Sequence, residues 1–126
     1  LGRKIKLINH CKEMPLAYSL ADVIVSASVE PEAFGRVSVE SQSMGKPIIA
    51  SNLGGSKETI LNKKSGFLYK HDDPRDLAKN LNTVIQLSQE ELKLMGNEGR
   101  KNITKKFDVE LMCDSNLREY KKLLKN

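Results

Sequence analysis

The sequence predicts an α/β fold in which helices cover a parallel sheet. Three observations carry this. Short β-branched apolar runs alternate with helical segments through the first half, the links between them are short, and the second half reads as helix throughout. "IKLI" (5–8) predicts a first strand over about 4–8, and "EMPLAYSLA" (13–21) a short helix that tolerates Pro15 in its first turn. "DVIVSAS" (22–28) is an almost unbroken β-branched run, the pattern of a strand covered on both faces, and predicts a strand near 22–27. After the turn at Glu30-Pro31 a helix runs from about Phe34 to Met44, where Gly45 and Pro47 stop it. "PIIAS" (47–51) predicts another buried strand, "SKETILN" a short helix capped by Ser56, and "GFLYK" a last strand over 66–69. This is a Rossmann-like arrangement.

The second half supplies three helices. Asp73 caps the first, with Pro74 at its first position and a stripe of Leu77, Leu81, Val84, Ile85 and Leu87. Ser88 with Glu91 makes a capping box for the next, over roughly 89–106. Asp108 caps the last, which runs to about Leu124 and carries an apolar face of Leu111, Met112, Leu117, Tyr120, Leu123 and Leu124.

At 126 residues the chain is one domain with room for a core. Its net charge of +5 is concentrated before His71, where ten basic residues face six acidic ones. That excess suits an anionic ligand, a lipid surface or a solvated face. No run reaches the ~18 apolar residues of a membrane span, and no signal peptide is visible. Cys11 and Cys113 lie far apart without metal-like spacing, which predicts reduced thiols and a cytoplasmic setting. The chain begins with Leu1 rather than Met and opens almost at once on "KIKLIN", which predicts a piece of something longer.

The chemistry concentrates in "EPEAFGRVSVESQSMGKPIIAS" (30–51), where Glu32 and Glu40 flank a Phe-Gly turn. That turn follows the carboxyl end of a predicted buried strand, where open parallel sheets bind ligands. Gly35 lets a ligand approach the backbone, and the first turn of the following helix offers unpaired amides that attract phosphate. A carboxylate is a poor neighbour for phosphate but a good acceptor for sugar hydroxyls. Amides for a diphosphate, flanked by acids for hydroxyls, describe a nucleotide sugar. A plain acid before a helix and a solvated helix Glu describe the same residues.

"PEAFGRVSVESQSMGKPIIAS", Gly54-Gly55, Glu58 and "GFLY" closely resemble the C-terminal domain of retaining GT-B glycosyltransferases of family four. The likeness runs back through "MPLAYSLADVIVSAS" and forward through "DDPRDLA" to "REYKKLL", nearly the whole chain. It implies a Rossmann-like half-domain of the GT-B fold spanning 1–126, with 108–125 as a C-terminal crossover helix and the N-terminal acceptor domain absent. It further implies that Glu32 is the catalytic-site acid on the donor sugar. Phe34, Gly35, Arg36 and Val37 hold sugar and diphosphate through their amides, and Glu40 accepts from the ribose. Ile8, Asn9 and His10 lie beside the nucleobase. By the same resemblance the donor is a UDP- or GDP-sugar, no metal or other cofactor takes part, and the acceptor is a cell-envelope lipid or polysaccharide. The protein then works in the cytoplasm, at most peripheral to the inner membrane face, without nucleic acid, and self-associates weakly through its last helix. The family's diphosphate-gripping Arg and Lys fall upstream of Leu1, so this chain alone is expected not to turn over.

Other residues read more simply. Gly54 and Gly55 serve a tight turn, Glu58 is a helix-surface or bracing acid, and His71 lacks a partner for a metal site. His10 either reaches the base or is an exposed loop residue. Ser26, Ser28, Ser41 and Ser43 have no His–Asp setting for nucleophilic chemistry. A glycosidase also uses paired carboxylates, but places them on opposite sides of a scissile bond rather than around an amide cradle. A non-catalytic nucleotide-sugar-binding remnant remains the alternative function.

Overall fold

A computed structural model describes residues 4–124. Its sheet has three parallel strands in the order β1 (Ile24–Ser26), β2 (Ile48–Ser51) and β3 (Gly66–Tyr69). Ile24 pairs with Ile48, and Ile48 in turn with Gly66, so the three strands end along one edge. Helices α1 (Met14–Leu20), α2 (Arg36–Ser43), α3 (Ser56–Thr59), α4 (Pro74–Ile85), α5 (Gln89–Lys106) and α6 (Val109–Leu123) complete the chain.

The central strand is buried along its whole length. Successive side chains of a strand point to opposite faces, and the sheet accordingly builds two cores. Ile49, Phe67 and Tyr69 pack with Val84 of α4 and Leu92 of α5, reinforced by Leu77, Leu81, Leu87 and Met95. Ile48 and Ala50 pack on the other face with Ile60, Val37, Ile24 and Leu68. Helix α5 also crosses α2 at close range. A Cβ added to Gly96 would stand 2.7 Å from the Gly45 carbonyl carbon, and one on Gly99 would press on the Gln42 side chain at 3.0 Å. Small residues here let two backbones meet, and polar groups tie them. Gln42 and Asn102 both donate to the Thr59 carbonyl, at 3.1 Å each.

The predicted caps hold for the long helices. Asp73 accepts from the amides of Arg75 and Asp76, Ser88 and Glu91 form the reciprocal capping box, and Asp108 accepts from Glu110. Two expectations need correction. Residues 5–8 form no strand; Ile5, Leu7 and Ile8 are exposed, because a strand exists only where a neighbouring edge takes its backbone hydrogen bonds, and no strand among the described residues pairs with them. Ser56 is the first residue of α3 rather than its cap, a place taken by Gly55 without any side-chain bond. The predicted end of the last helix at residue 125 lies outside the described residues.

Candidate functional site

The β1–α2 loop and the β2–α3 loop lie side by side at the carboxyl edge of the sheet, and they join backbone to backbone. The Gly55 amide donates to the Glu32 carbonyl at 2.8 Å. A Cβ on Gly54 would stand 2.8 Å from the Glu32 nitrogen, and one on Gly55 2.7 Å from the Phe34 Cα. Any side chain at either position would push the acid-bearing loop away, so the glycine pair sets where Glu32 and Phe34 sit. Phe34 is braced from the far side by an edge-to-face contact with Phe107, ring centres 5.6 Å apart.

Gly35 precedes α2 with φ 76° and ψ 60°, the left-handed region that suits glycine. Its carbonyl accepts from Ser38 and Val39 at 3.0 and 3.2 Å. Among the described residues, the amides of Phe34, Gly35, Arg36 and Val37 donate to no backbone or side-chain acceptor. Four free donors at the positive end of a helix dipole are an arrangement that attracts anions.

The two acids differ in their restraint. Glu32 accepts from the Ser28 hydroxyl, four residues back on the same loop. Glu40 is held twice. The Tyr18 hydroxyl donates to its Oε2 at 2.9 Å, while Arg36 Nε and Nη2 donate to its Oε1 at 3.1 and 2.8 Å. Burial, then the bond to Glu40 and its negative charge, push the Tyr18 phenol up to about 12, against a smaller lowering by Arg36, so it stays a donor. Arg36 occupies an awkward place for a helix cation, at the positive end of the dipole, and its side chain is 84% exposed. It does point outward, yet it closes on Glu40 rather than standing free.

Beside Glu40 lies a hollow of about 470 Å³, lined by residues that include Lys12, Pro15, Tyr18, Val39 and Met44. Thus Glu32, Phe34, Gly35, Arg36, Val37 and Glu40 come together at one sheet edge. Ile8, Asn9 and His10 lie in an exposed segment and do not line the hollow; Lys12 and Met14, slightly further on, do. Glu58 and His71 are exposed. No group of three or more His, Cys, Asp or Glu among the described residues is placed to hold a metal ion. Sequence reasoning missed Tyr18 and Ser28, each now bonded to one of the acids.

The family described as Glycosyl transferases group 1 matches residues 1–102. The chain belongs to this family. The capsular polysaccharide biosynthesis glycosyltransferase CapM of Staphylococcus aureus is 29% identical over 122 residues, covering 96% of this chain and 31% of the relative. A glycosyltransferase structure from Rickettsia africae superposes with a TM-score of 0.91 at 36% identity, over 98% of this chain and 33% of that one. Anabaena Alr3699/HepE in complex with UDP-glucose gives 0.86 at 25% identity, over 95% and 33%. This group 1 chain therefore spans about a third of the length of the proteins it matches, and its fold is that of GT-B glycosyltransferases. No helix among its described residues is long and apolar enough to cross a membrane.

Proposed function

We propose that this chain is the donor-binding portion of a retaining glycosyltransferase that moves a sugar from a UDP- or GDP-sugar to a cell-envelope lipid or polysaccharide. The observation that carries the reading is the amide cradle at Phe34–Val37 between the two carboxylates. In glycosyl transfer the bond from the anomeric carbon to the diphosphate breaks, and the leaving group is a nucleoside diphosphate gaining negative charge. Preset amides stabilise that charge without reorganising. Glu32, on the lip before the helix, takes hydroxyls of the transferred sugar; Glu40, a turn and a half into it, takes those of the ribose. No metal is needed for this division. The capsular polysaccharide relative supports the acceptor class, and the UDP-glucose complex of a neighbour supports the donor class. The reaction takes place in the cytoplasm, at most peripheral to the inner membrane face. The acceptor site belongs to the remainder of the protein, and this chain alone binds donor without turnover.

Titration of the chain with UDP, GDP and their sugar conjugates, read by amide chemical shifts, tests this. Shifts should cluster at Phe34–Glu40, with affinities of roughly high-micromolar to millimolar strength. Glu40→Ala should weaken nucleotide and nucleotide sugar alike, and Glu32→Ala only the sugar-bearing ligand. Equal weakening of every ligand by both variants, or shifts elsewhere, would overturn the reading.

A further inference from the structure

We propose that Tyr18 is a positioning residue that holds Glu40 in the orientation that receives ribose hydroxyls. The proposal rests on the role of Glu40 proposed above. Tyr18 is 4% exposed, yet it belongs to neither apolar cluster on the sheet. Its ring walls the hollow beside Glu40 together with Pro15, Val39 and Met44, and its hydroxyl reaches Oε2 across a separation of 22 residues in sequence. Packing alone would be served by Phe; the hydroxyl answers only to the carboxylate.

The two grips on Glu40 are unequal. Arg36 holds Oε1 from solvent and is free to leave, whereas the phenol holds Oε2 from inside. A phenol is protonated at neutral pH, and burial, then the bond to Glu40, raise this one further, so it remains a donor to the carboxylate. A carboxylate has about four acceptor positions, so one bond to Tyr18 fixes the group and leaves room for a vicinal diol. Without that bond Glu40 is left to Arg36 alone, and the acid must be reordered each time a ribose binds.

The test compares UDP and GDP with their 2′,3′-dideoxy analogues on the full chain, by the same titration. Tyr18→Phe should weaken the parent nucleotide about three- to tenfold and leave its dideoxy analogue within about twofold. Adding Tyr18→Phe to Glu40→Gln should cost nothing further. Equal weakening of both nucleotides would make Tyr18 a purely structural residue, and an unchanged parent affinity would deny it any role; either result overturns the proposal. Glu40→Gln reads the foundation separately. If it leaves the preference for ribose over dideoxyribose intact, or if the unmodified chain shows no such preference, the role of Glu40 fails and the proposal falls with it. A preference lost in Glu40→Gln but kept in Tyr18→Phe overturns the positioning role alone.

Discussion

The middle of the chain and its two flanks use the same apolar residues with opposite results. Ile48, Ile49 and Ala50 are wholly buried, whereas Ile5, Leu7 and Ile8 before them and Leu111, Met112, Leu117 and Leu123 after them are exposed. The middle differs in its small residues, not in greasiness. Ser38, Ser41, Ser65 and Thr59 are buried there, and Gly96 and Gly99 let α5 lie against α2. Helix α6 has an apolar face and sound caps, but none of its residues is buried. Apolarity makes a face; a core needs a second face that can come close. The candidate site stands on the boundary, since the loop that carries Glu32 and Gly35 is tied to the middle while Phe107, just before α6, props Phe34.

Substitutions can break or sharpen this contrast. The largest effect should come from Ile49→Ala, which removes a fully buried side chain from the central strand and should cost about 3–4 kcal/mol in denaturant unfolding. Leu117→Ala, also a loss of branched carbon but on α6, should stay within about 0.5 kcal/mol. Comparable costs would erase the distinction. Gly96→Ala comes next, at about 2–3 kcal/mol, because its methyl group would meet the Gly45 backbone rather than a movable side chain.

The caps sharpen the comparison further. Asp73→Ala should lower global stability by about 1 kcal/mol, since α4 is packed on the sheet. Asp108→Ala loses one cap bond, against two for Asp73, and does so on an unpacked helix. It should therefore reduce helicity by circular dichroism while leaving the main unfolding midpoint in place. The smallest effect concerns acid. Bonds from the Ser88 amide and hydroxyl lower the Glu91 carboxyl below its ordinary 4.5. The folded state thus favours the ionised form, so its contribution is present above the ordinary Glu range and fades as pH falls through the lowered value. Glu91→Gln should remove that dependence from the start of α5, measured as helicity between neutral and acid pH, whereas Ser88→Ala, which keeps the amide bond, should only reduce it.

How far the sequence was legible follows the same division. Strands 24–26 and 48–51 showed as β-branched runs and 66–69 as a short aromatic and apolar one, and Asp73, Ser88 and Asp108 announced their helices through spacing alone. These are local properties. "IKLI" misled because pairing belongs to two strands at once, and Ser56 because Gly55, tied to Glu32, already fixes where α3 starts. The free amides at the start of α2 could be read from Gly35 and the helix that follows it. Tyr18 could not, since its bond to Glu40 joins two helices with a strand between them. Arg36 and Glu40 stood at helical i, i+4 spacing, but the pull of a second carboxylate grip from Tyr18 appears only in three dimensions.

The glycine junction also separates what can change from what cannot. Between Gly54-Gly55 and the Glu32–Phe34 backbone there is no side chain to enlarge, trim or recharge. What can vary at this junction without moving the loop is confined to groups that project from it, such as the side chains of Glu32 and Arg36 and the walls of the hollow.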